Sequence, residues 1–112
     1  MSTLNFSQII KMMNGSGVNV SVDFQLPNDH RTVWIIDWVE SEEGRGYDEP
    51  DGHSLHTNKQ SLVNYFNQNY HASASVNANY PTGFYLEKVP QNIYNKVINN
   101  NGTLKVHYKA WK

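Results

Sequence analysis

The chain has no cysteine, which excludes disulfides, thiolate zinc sites and cysteine nucleophiles. It also lacks any run of about eighteen apolar residues, and no basic stretch leads into an apolar one near Met1, so the expectation is a cytoplasmic protein without a membrane span. Charge is scarce. Only 17% of residues are charged, below the quarter or so of an average domain. No glycine or serine motif for phosphate or acyl chemistry is present: Gly44-Arg45-Gly46 lacks a Lys-Ser/Thr continuation, and there is no Gly-x-Ser-x-Gly elbow.

What the chain has instead is asparagine, fifteen in 112 residues. That excess fits an AT-rich coding sequence and hence a low-GC bacterium or one of its phages. The length is that of one domain spanning residues 1–112, enough for one core and too short for two. The net charge of −1 hides an asymmetry, because Glu40 to Asp51 carries −5 and the remainder +4. This balance disfavours a strongly basic nucleic-acid binder.

Periodicity and caps predict an α+β fold: an antiparallel sheet of three to five strands with about three helices packed mainly on one face. Asn5 and Gln8 form a capping box for a first helix whose apolar face is Phe6, Ile9, Ile10 and Met13. Val18 to Leu26 alternates as a strand, and Thr32 to Val39, apolar on both faces except at Asp37, suits a central strand paired with it. Thr57 with Gln60 predicts a second helix ending near Asn69. Ala72 to Tyr80 reads as either strand or loop, with Tyr80 to Gly83 as a turn and Phe84 to Val89 as a strand returning beside it. Pro90 opens a third helix, the Asn99 to Gly102 run breaks it, and Thr103 to Trp111 alternates with Lys105, His107, Lys109 and Trp111 on one face. The expected core is Val20, Val22, Phe24, Trp34, Ile36, Leu62, Phe66, Val97, Leu104 and Val106.

Chemistry concentrates in Glu40 to His56, read as an acidic, glycine-containing loop. Its residues Glu42, Glu43, Arg45, Tyr47, Asp48, Glu49, Asp51 and His53 are expected to contact a partner macromolecule, a protein rather than a nucleic acid. Tyr47 would be the aromatic anchor and Arg45 the bidentate donor. Size and composition are those of inhibitors, immunity proteins and phage accessory proteins, acting without a cofactor as a monomer or homodimer. The alternative is a small hydrolase, metal-assisted or acid–base, built on Asp48, Asp51, His53 and His56, although no established zinc or calcium spacing is matched. Asp37 needs water or a partner such as Lys105, His107 or Arg31. A basic strand face of Lys105, His107, Lys109, Trp111 and Lys112 could meet nucleic acid, but reads first as ordinary solvated surface.

Overall fold

A computed structural model describes residues 3–21, 30–41, 48–71 and 78–111, with Ser41 and residues 48–50 described as backbone only. Three helices, α1 (Phe6–Gly15), α2 (Lys59–Asn69) and α3 (Gln91–Asn99), accompany five strands: β1 (Asn19–Val20), β2 (Thr32–Ser41), β3 (Asp48–His56), β4 (Ala78–Lys88) and β5 (Thr103–Val106). The strands form one mixed sheet in the order β1-β4-β2-β3-β5. Only β1 pairs in parallel, with β4; the other pairs are antiparallel. This is the expected α+β class. No helix among the described residues is long and apolar enough to cross a membrane.

The continuous apolar run of β2 makes it the central strand, since both of its faces find cover. Trp34, Ile36 and Trp38 point to the side of α1 and α2, where they join Ile9, Ile10, Met13, Leu62, Phe66 and Phe84. Val33 and Ile35 point to the other side and meet Leu55, Val89 and Val97 of the α3 layer. Two helices therefore cover one face and the third covers part of the other. Trp38 anchors the larger core through ring contacts with Tyr65 and Phe66, at 5.8 and 5.6 Å between centroids. Burying each such side chain is worth about 1.5–3 kcal/mol.

Several elements differ from the sequence reading. Among the described residues the first strand is Asn19–Val20, and it lies beside β4 rather than pairing with β2; residues 22–29, with Val22 and Phe24, lie outside the described residues. Asn58, not Thr57, caps α2, accepting from the Ser61 N–H at 2.8 Å. Tyr80 to Gly83 is no turn. It is the middle of β4, where Pro81 and Gly83 pair with Trp38 and Asp37 and Thr82 is the extra residue of a bulge. On the opposite side of β2 a second bulge falls at Asp51, between Gly52 and Pro50. Proline has no N–H to give a ladder, so bulges are where a strand tolerates it. Alternation of the last segment stops at Val106: Tyr108 is 74% exposed, while Lys109 and Trp111 turn inward.

Candidate functional site

The β2–β3 hairpin organises the polar residues, because its register decides which of them share a face. Trp34 pairs with His56, Asp37 with His53, Glu40 with Glu49 and Ser41 with Asp48. The segment read as one loop is thus mostly strand. Only residues 42–47 connect β2 to β3, and Glu42, Glu43, Arg45 and Tyr47 lie outside the described residues. Asp48 and Glu49 occupy the first positions of β3. Asp51, at the bulge, holds Lys105 at 3.3 Å.

His53 and His56 are three residues apart on a strand and so project to opposite faces. His56 is fully buried under α2, with Nε2 2.8 Å from Ser54 Oγ and Nδ1 3.0 Å from Thr103 Oγ1. Ser54 Oγ also accepts from Trp38 Nε1 at 2.9 Å, and Thr103 Oγ1 lies 3.3 Å from the Ser61 carbonyl, to which it donates. One arrangement satisfies every proton: Ser54 donates to Nε2, and His56 carries its hydrogen on Nδ1 and donates to Thr103. Burial pushes the imidazole pKa down from 6.5 to about 3, so the ring is neutral at physiological pH.

The opposite face carries a second network. Asp37 Oδ1 accepts from His53 Nδ1 at 2.6 Å and from the Tyr85 hydroxyl at 2.7 Å. Lys109 Nζ donates to the same hydroxyl at 2.7 Å, sits 4.6 Å from the Tyr85 ring centroid, and reaches Glu87 at 3.3 Å. Glu87 Oε2 in turn accepts from Trp111 Nε1 at 2.7 Å. Burial first, then the hydrogen bond to Asp37 and the charges of Asp37 and Glu87, drive the Tyr85 phenol well above its ordinary pKa. Gly83 leaves room for the carboxylate, since a Cβ there would lie 2.9 Å from Asp37 Oδ2.

Asp37 therefore finds its partners in His53 and Tyr85, not in Lys105, His107 or Arg31. The register would have supplied His53, had β3 been recognised as a strand. Tyr85 carried no signal beyond strand alternation. Of the basic face, Lys105 is engaged by Asp51 and Lys109 by Glu87, which removes two of its cations; Lys112 lies outside the described residues. Among the described residues no three metal-ligating side chains come together. His53 Nε2 hydrogen-bonds to none of the described residues, so the Asp37–His53 pair has the form of an oriented base, but it lines neither the groove beside α1 nor the one between α2 and residues 100–103. No protein-family model, curated protein or solved structure matches the chain.

Proposed function

We propose that the protein is a non-enzymatic binding protein of the inhibitor, immunity or phage accessory type, using the acidic end of the β2–β3 hairpin to hold a basic protein in the cytoplasm, as a monomer or homodimer. The observation that carries this reading is the pairing of Glu40 with Glu49 across the two strands. Like charges at facing strand positions weaken a sheet, which counts against a purely structural role for them. Glu40 has no ion-pair partner among the described residues. A −5 segment on a chain otherwise +4 steers a cationic surface toward the hairpin and makes association sensitive to salt.

The test is a four-site variant, Glu42, Glu43, Asp48 and Glu49 each changed to Gln, immobilised beside the wild type and exposed to host extract at low ionic strength. The expected result is a basic partner that the wild type retains and moderate salt elutes, that the variant fails to retain, and that leaves the melting temperatures alike. A variant that melts earlier and holds the same partner would show that the charges serve the fold. A second reading, acid–base hydrolysis, is favoured by the 2.6 Å contact between His53 and Asp37, and it rests on that pair rather than on Asp48, Asp51, His53 and His56 together.

A further inference from the structure

We infer that the groove beside α1 is a binding site for a free medium-chain fatty acid, held by its carboxylate and its alkyl chain. The groove, of about 390 Å³, is lined by Phe6, Ser7, Ile10, Lys11, Asn14 and Lys59. It lies on different elements from the acidic hairpin and is independent of the function proposed there. Its volume falls at the lower end of the roughly 300–1,000 Å³ of small-molecule sites.

Two features set the chemistry of its occupant. The first is an apolar floor backed by the core: Ile10 is 7% exposed, and the half-buried Phe6 ring rests on the fully buried Trp34 at 5.5 Å between centroids. The second is positive charge with no carboxylate among the described residues to answer it. Lys11 and Lys59 reach the groove from separate helices; among the described residues no carboxylate lines it and neither lysine has an ion pair. Lys59 Nζ is held 5.0 Å above the Phe6 ring, which places an ammonium directly over the apolar floor.

The start of α2 adds to this field. Lys59 is its first residue and no acid occupies its first turn, although the positive end of a helix dipole favours anions and disfavours a cation there. Two ammonium groups and the first residue of a helix beside one apolar trough make it a favourable place for an anion. A carboxylate between Lys11 and Lys59, with its chain along Phe6 and Ile10, meets both demands. A hydrophilic anion would meet only the first and a neutral alkane only the second.

The experiment is a titration of the full chain with decanoate below its aggregation concentration, read by amide chemical shifts, with decanol and decyltrimethylammonium as chain-matched controls. Shifts should concentrate on α1 from Phe6 to Asn14 and on Asn58 to Gln60. Decanol and the Lys11→Gln/Lys59→Gln double variant should each bind about tenfold or more weakly, and the cation should leave these amides still. Both lysines are exposed, so the double variant keeps its fold, which its unchanged spectrum without ligand verifies. Absent or scattered shifts overturn the inference, as does equal binding by decanol or the double variant. Two further results also overturn it: phosphatidylglycerol vesicles producing the shifts when free decanoate does not, or groove amides that move with protein concentration alone, the mark of a second copy's acidic hairpin in the groove.

Discussion

Acidification should destabilise this protein through His56, beginning above the range in which carboxylates titrate. The imidazole is sealed between β3, β5 and α2. Its pKa is about 3 in the fold against 6.5 in an open chain. Between those values the unfolded chain binds a proton that the native state refuses, so stability is complete above pH 6.5 and falls as pH drops. Integrating the two titrations gives a loss of about 2 kcal/mol from pH 7.5 to pH 5 and about 3 kcal/mol by pH 4. A small domain has roughly 5–15 kcal/mol in all, and the smaller loss corresponds to a melting temperature lower by about 8 °C.

The network explains why the ring resists protonation as well as why burial does. A proton added to Nε2 would face the Ser54 hydroxyl hydrogen, and Ser54, already accepting from Trp38, would have to turn that hydrogen away from the ring. Urea unfolding of wild type and His56→Gln at pH 7.5 and pH 5 isolates the effect, because every other titrating group is common to both. The variant will be less stable throughout, but it should lose about 2 kcal/mol less than the wild type over this interval. Parallel pH dependences, agreeing within about 0.5 kcal/mol, would refute the reasoning. Nitrogen shifts of the ring should also show hydrogen on Nδ1 down to pH 5.

Two further substitutions test the backbone that positions these residues. Gly52 has φ 95°, and a Cβ there would come within 2.5 Å of the Val106 carbonyl oxygen; Gly52→Ala should therefore cost at least the roughly 1–3 kcal/mol of the strained backbone, measured by urea unfolding, and a change below about 0.5 kcal/mol would mean that β3 and β5 do not meet as described. Asn58→Ala should cost about 1 kcal/mol by freeing the Ser61 N–H, whereas Thr57→Ala should leave the α2 cap intact, and the reverse order in thermal melts would restore Thr57 as the cap.

The parts legible in the sequence are those whose physics is local. Asn5 and Gln8 announce α1 because a capping box closes within three residues, and the order of apolar residues in β2 names both of its faces. The misread parts share one cause: the same residue types satisfy two structural demands. Pro81 and Gly83 look like a turn because proline lacks an N–H and glycine a Cβ. A strand bulge uses the first property, and the close approach of Asp37 uses the second. β3 is rich in Asp, Glu, Pro and Gly, all poor strand formers, yet it is held in the sheet by β2 on one side and β5 on the other. Here tertiary pairing overrides local preference, and the consequence is chemical. In a loop, His53 and His56 could close on one ion or one substrate; in a strand the spacing of three sends one to Asp37 on the open face and the other to Ser54 beneath α2. The residues were all visible from the start, but the period that sorts them comes from strands whose contacts lie 16 and 47 positions away, and composition within the segment carries no trace of it.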